Sequence, residues 1–302
     1  NNSRTAWVAM QEANALAVVD IKSATVTDIL PLGTKDHSLP GNELDASNRD
    51  GAINITNWPV KGFYMPDAIT SYNIDDTTYI VSANEGDSRD YDGFSEEERI
   101  KDLVLDPVAF PDAATLQEDE NLGRLNSTTV NGDIDGDGDF DELYSYGARS
   151  FSIWSSEGEL VYDSGADFEK KTAVLLPEDF NSNNDENDSF DARSDDKGPE
   201  PEGVVLGKIK GNIYAFIGLE RIGGIMVYDV TSPYDVQYVT YVNTRDFSVD
   251  AEIDGKTNPM VGDLGPEGLV FIPASRSPNR KPLLVTGNEV SGTTTVFQIN
   301  VE

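Results

Sequence analysis

The sequence predicts an all-β chain of the β-propeller class, built from four-stranded blades, and three observations carry that expectation. An acidic pattern recurs in step. Pro66-Asp67, Pro201-Glu202 and Pro266-Glu267 each open a segment, and Glu85, Glu220 and Glu289 follow at separations of 18, 18 and 22 residues. Internal self-similarity of this kind marks a repeat architecture. The runs between these acids are rich in Val, Ile, Tyr, Phe and Thr and are bounded by Gly, Asn, Asp and Pro, the composition of strands and turns. Helical periodicity is weak throughout, and the best helical stretch is short, at Ser95–Leu103.

The elements follow in order. WVAMQEANALAVVDI opens the chain within a first blade at 5–30; it carries Glu12 but lacks the front half of the pattern. The next unit runs through 60–85, and its returning strands fall at 146–165. An insertion around 86–145 separates the two. Further blades span 203–242 and 266–300. In each unit one strand follows the Pro-acid pair and a second ends in the Glu. A third follows a Gly-rich turn, and a fourth leads onward. Four-stranded units repeated about an axis make a propeller. The reading is a single domain, 1–302, holding the C-terminal blades of a longer, seven-bladed propeller. These residues are not expected to close a ring unaided. The edge near 5–21 would pair with upstream blades of the same precursor or with another chain, because open edges invite pairing.

This geometry has a chemical consequence. The first acid precedes strand one and the second ends strand two, and antiparallel neighbours reverse direction. Asp67, Glu85, Glu202, Glu220, Glu267 and Glu289 are therefore expected at one channel mouth. Pro-acid-Gly is also ordinary turn chemistry, but that alone does not explain an acid at both places.

Composition narrows the partners. The chain has 302 residues, 55 Asp plus Glu, 22 Lys plus Arg and a formal charge of -33. Such charge argues against nucleic acid and anionic membranes and suits multivalent cations. No apolar run approaches the ~20 residues that span a bilayer. The absence of cysteine removes disulfides, zinc-thiolate sites and cysteine nucleophiles.

The sharpest single motif is DIDGDGDFD at 133–141. It places Asp133, Asp135, Asp137 and Asp141 at the alternating positions of a calcium loop. Gly138 permits the turn, and Asp139 offers its backbone carbonyl. Tyr144 stands where an EF-hand needs Glu, so the loop is read as an insertion between strands. The Asn- and Asp-rich stretch 181–203 reads equally as a solvated loop or a second cation site. Glu85–Asp92, EGDSRDYD, sets Arg89 and Tyr91 beside a mouth acid and suggests ligand contact.

No G-x-S-x-G elbow, P-loop or H-E-x-x-H occurs, and the one histidine, His37, lacks a supporting motif. Catalysis would have to come from carboxylates, metal ions and cations. Glu220 and Glu85, with Arg221 and Arg89, are the catalytic candidates. The bases near acidic motifs are Lys35, Lys61, Arg89, Arg149, Arg193, Lys197 and Arg221. Carboxylates that hold divalent ions can activate water, and Arg or Lys can bind phosphate oxygens.

Several long motifs then identify a family. LGTKDHSLPGNELDASNRDG, ANEGDSRDYDGFSEEERIKD, DGDGDFDELYSYGARSFSIW, DDKGPEPEGV and YAFIGLERIGGIMVYDV resemble the choice-of-anchor I family over nearly the whole chain. The resemblance implies a β-propeller that is secreted, periplasmic or on the cell surface, in a group often labelled alkaline phosphatase-like or phytase-like. Two functions are expected in consequence. One is a metal-dependent phosphomonoesterase acting on a phosphorylated small molecule, with Ca2+ and further divalent ions at the mouth. The other is a non-catalytic surface protein that binds calcium, mineral or a partner.

Overall fold

In the computed structural model, which describes residues 3–300, the chain is nearly all β, and its strands form several small, mainly antiparallel sheets. Four of them follow the acidic pattern. The first joins Thr5–Met10, Ala15–Asp20 and Thr25–Pro31. The second orders Leu160–Asp163, Ser150–Ser155, Thr77–Asn84 and Ile69–Ile74. The third is a meander of Pro201–Ile209, Asn212–Leu219, Ile225–Asp229 and Gln237–Val242. The fourth joins Pro266–Ile272, Leu283–Asn288 and Thr293–Gln298.

Register explains the motif. Pro201 lies opposite Leu219, and Pro266 opposite Asn288. The acid after each Pro and the acid after each second strand therefore share one end of the sheet. In the second sheet the Asp67 N–H donates to the Ala83 carbonyl at 3.2 Å, which gives the same placement. The register slips just after Pro201 and Pro266, at the Pro-Glu-Gly steps. Such bulges re-aim a side chain out of the strict alternation.

The sheets stack in chain order through shared apolar faces. Leu16, Leu32, Ile80 and Trp154 join the first to the second. Val81, Phe151, Ile153, Ile217, Met226 and Tyr228 join the second to the third. Phe216, Val227 and Leu284 join the third to the fourth, with Phe216 stacked on Phe271 at 5.9 Å. The opening strand of the third sheet touches the opening strands of both neighbours. Close approach there depends on glycine. A Cβ at Gly203 would lie 2.2 Å from the Glu267 carbonyl oxygen. The described strands close no barrel.

Between Glu85 and Ser150 the chain leaves the second sheet and, together with Leu44, Ala46 and Val60 from before that sheet, builds a separate small core around Ile100, Phe110, Leu122 and Leu143. Here the helical expectation at Ser95–Leu103 fails. Glu97–Arg99 pairs with Asn126–Thr128, and only Ile100–Asp102 turns, as a 3-10 helix. A distant strand overrides local helix-forming composition. The longest helix, Asp167–Leu175, was not expected; it buries Phe168, Glu169 and Thr172 and carries Asp167 and Glu169 in its first turn, which suits the helix dipole. The 181–203 stretch is a chain of turns up to the strand at Pro201, and much of it is buried rather than solvated.

Candidate functional site

The repeated acids meet where the opening strands converge. Carboxylate oxygens of Asp67, Glu85 and Glu202 lie within 4.8 Å of one another, and so do those of Glu85, Glu200 and Glu220. Glu85 belongs to both groups. Glu267 is exposed at the rim, where its charge acts on Asp67 and Glu202. Glu289 is exposed and joins neither group. In the first sheet's unit Gln11, rather than Glu12, reaches the mouth: its Nε2 donates to Glu85 at 2.8 Å. Glu12 instead accepts from the Tyr91 hydroxyl.

The two groups differ in their counter-charges. Glu200 is fully buried and faces three cations: Arg193 at 2.5 Å, Lys197 at 3.1 Å and Arg221 at 3.0 Å. Burial alone would raise its carboxyl, but Lys197, Arg193 and Arg221 outweigh burial and hold it below the ordinary range. Lys197 also binds Glu85 at 2.7 Å, and Arg221 binds Glu220 at 3.2 Å. Asn184 donates to Glu220 at 2.7 Å. Asp67 and Glu202 have less support. Burial, then the charges of Glu220, Glu85, Asp67 and Glu267, push Glu202 up to about 9. Burial and Glu267 raise Asp67. One Glu202 oxygen, Oε2, is buried without a hydrogen-bond partner among the described residues. Uncompensated carboxylates at this spacing favour either protons or a cation.

The remaining candidates separate cleanly. Arg89 does not reach the mouth. Its Nε and Nη2 grip Glu96 at 3.1 and 2.6 Å, and its guanidinium lies over Phe94, because the hairpin of Asp90–Tyr91 and Phe94–Ser95 turns it away. His37 is buried and donates from Nδ1 to the Asn42 carbonyl at 2.6 Å; burial and Lys35 hold it well below the usual range. Lys35 pairs with Asp163, Lys61 with Glu142 and Arg149 with Glu169. Arg193, Lys197 and Arg221 also line a polar cavity of about 290 Å³ together with Asp87, Glu97 and Asp196. Glu200 escaped the repeat reading. Its signal was the doubled Pro-Glu of Pro199-Glu200-Pro201-Glu202, of which only the second pair falls in the repeat register.

The 133–141 loop gathers Asp133, Asp135 and Asp141 within 4.8 Å, and its backbone N–H groups turn inward: Gly136 donates to Asp133 at 2.8 Å and Ile134 to Asp141 at 2.8 Å. Asp137 belongs to no such group; its carboxylate accepts from the Asp139 N–H at 3.2 Å. Asp139, expected to act through its carbonyl, brings its carboxylate to Asp106 and Asp141. Asp141 is thus shared by two acidic groups of the loop.

A family model described as the choice-of-anchor I domain matches residues 1–233. Gigasin-3a of Magallana gigas is 32% identical over 194 residues, covering 61% of this chain and 67% of that protein. The mesenchyme-specific cell surface glycoprotein of Strongylocentrotus purpuratus is 29% identical over 285 residues, covering 82% of this chain and 36% of that protein. The chain thus corresponds to about a third of the longer relative.

Proposed function

Because this chain belongs to the choice-of-anchor I family, we propose that it is a secreted or surface-held β-propeller segment that binds divalent cations through carboxylates. Surface placement draws on the sea-urchin relative, which is named a cell surface glycoprotein. The propeller reading draws on sheets that stack in chain order with their opening strands converging. Among the described residues no helix is long and apolar enough to cross a membrane.

One observation carries the cation reading: Asp67, Glu85 and Glu202 crowd within 4.8 Å, and of the three only Glu85 pairs directly with Lys197. Oxygen donors of this kind suit a hard cation, and calcium would occupy both the mouth and the 133–141 loop. Calorimetric titration of calcium tests this. Glu202→Gln should remove the mouth site and Asp141→Asn the loop site, each lowering the stoichiometry by one. Unchanged stoichiometry in both variants would refute the proposal.

A second reading, a metal-dependent phosphomonoesterase, is favoured by the cavity of about 290 Å³ lined by Arg193, Lys197 and Arg221. A divalent ion on the mouth acids would polarise a phosphoryl oxygen and acidify water. Arg193, Lys197 and Arg221 would orient the phosphate. These cations already serve Glu200, Glu85 and Glu220, so the binding reading stands first. Hydrolysis of a phosphomonoester by calcium-loaded protein at any pH from about 5 to 10, lost in Glu220→Gln, would reverse that order.

A further inference from the structure

Away from the mouth and the 133–141 loop, a second acidic cluster lies inside the protein. Asp45, Glu169, Asn181, Ser182 and Asp191 are each 2% exposed or less. They come from three separated stretches of chain; hydrogen bonds tie Glu169, Asn181 and Asp191 together, Ser182 follows Asn181 in the chain, and Asp45 is bonded instead to the Ser47 and Asn54 N–H groups. Asn181 Nδ2 donates to Glu169 Oε1 and to Ser194 Oγ, both at 2.8 Å, and Ser194 Oγ donates to Asp191 Oδ1 at 2.5 Å. The charges of Asp45 and Glu169 act on Asp191.

Two features of this cluster point to a missing positive ligand. Arg149 pairs with Glu169 at 2.8 Å, and among the described residues no salt bridge compensates the buried Asp45 or Asp191. Buried charge without compensation is strongly unfavourable. Four atoms there also have no hydrogen-bond partner among the described residues: Glu169 Oε2, Asn181 Oδ1, Ser182 Oγ and Asp191 Oδ2. All four are oxygens that can accept. Both amide hydrogens of Asn181 are already committed, so turning that side chain over would not relieve it. Buried polar groups are rarely left unsatisfied, and a run of open acceptors in one cluster calls for a donor or a cation. A divalent ion would cancel the excess charge and fill the acceptors together. The donors are all oxygen, which selects a hard cation.

We infer that Glu169, Asn181 and Asp191, with Ser182 and Asp45 nearby, hold a buried calcium site that fixes the 181–196 segment to the helix Asp167–Leu175. This site is distinct from those in the proposed function, and its test keeps them apart. The full chain is loaded with calcium and dialysed, and its metal content is measured for Asp133→Asn/Asp141→Asn and for the same variant carrying Asp191→Asn. The added substitution should remove one further equivalent of calcium. Equal content in the two variants would overturn the site, since a protonated carboxyl or a bound water would give that result. Asp191→Asn could also lose metal by failing to fold, so the unmutated chain supplies a second reading. After prolonged chelation, amides of 181–196 should exchange hydrogen at least about tenfold faster, and they should do so equally in the Asp133→Asn/Asp141→Asn/Glu202→Gln protein, which lacks both the loop and the mouth sites. Protection that chelation leaves unchanged would overturn the inference whatever the variant does.

Discussion

Glu200 and Glu202 stand two residues apart, and the fold gives them opposite electrostatic settings. Glu200 is held by Arg193, Lys197 and Arg221, whereas Glu202 faces Glu85, Asp67, Glu220 and Glu267. Glu200→Gln should therefore cost about 3–5 kcal/mol, because it strands buried cations. Glu202→Gln in calcium-free protein should leave stability unchanged or raise it by about 1 kcal/mol, because it relieves like-charge repulsion. Urea melts of both variants without calcium check the contrast, and equal losses would contradict it. A milder pH effect belongs to Glu43. Lys170 at 2.7 Å, then the Gly41 N–H, hold its carboxyl down at about 2 against an ordinary 4.5. A lowered folded value stabilises above the unfolded one and loses that contribution as pH falls from 4.5 toward 2. Glu43→Gln should flatten only that acid limb, by about 0.5 kcal/mol for a pair this exposed. The repeat made Asp67, Glu85, Glu202 and Glu220 legible in the sequence, since spacing alone places them at one end of each sheet. The cations that decide their charge were not legible as partners. Arg193 and Lys197 lie in a segment without periodicity, and only folding carries Lys197 to Glu85, 112 residues away.

At the level of elements, the strands could be read from the sequence because each is a turn-bounded run of β-branched, aromatic and aliphatic residues, as in Thr77–Asn84 and Asn212–Leu219. The insertion could not, because its parts are defined by partners far off in sequence. Ser95–Leu103 shows this: FSEEERIKDL favours helix locally, yet Glu97–Arg99 is captured by Asn126–Thr128, and Ile100 is buried in the insertion's own core. The DIDGDGDFD loop is an intermediate case. Its spacing gave the turn and the clustering of Asp133, Asp135 and Asp141, but not the side-chain meeting of Asp139 with Asp106. That meeting ties the loop to the segment around Leu105, which bridges in parallel to Phe140. Calcium removal should therefore loosen more than the loop. Limited proteolysis after chelation should open cleavage between about Val104 and Tyr144, and Asp141→Asn should reproduce it with calcium present, because Asp141 serves both groups. Cleavage indifferent to chelation and to Asp141→Asn would mean that protein contacts alone hold the loop.

For the whole molecule, the question is whether the four sheets are consecutive blades, and two equivalent glycines offer a test of it. Gly203 and Gly268 occupy the same place in the Pro-Glu-Gly step of successive units. A Cβ at Gly203 would fall 2.2 Å from the Glu267 carbonyl oxygen, whereas a Cβ at Gly268 would meet nothing within 4 Å. The difference has a plain cause: the third sheet has the fourth against it, while the corresponding face of the fourth is open, with Val270 and Val296 more than half exposed. In a propeller each blade packs on the next through the same positions, so the glycine is needed only where a neighbour sits. Gly203→Ala should accordingly destabilise this chain by about 2–4 kcal/mol, the range for overpacking against unyielding backbone. Gly268→Ala should stay within about 0.5 kcal/mol. The decisive measurement repeats the pair in a longer chain that supplies a sheet on that open face. Gly268→Ala should then become as costly as Gly203→Ala, because the same close approach is completed. If it remains neutral beside a packed neighbour, the sheets do not stack by a repeated rule, and the propeller reading fails even though each sheet stands as described.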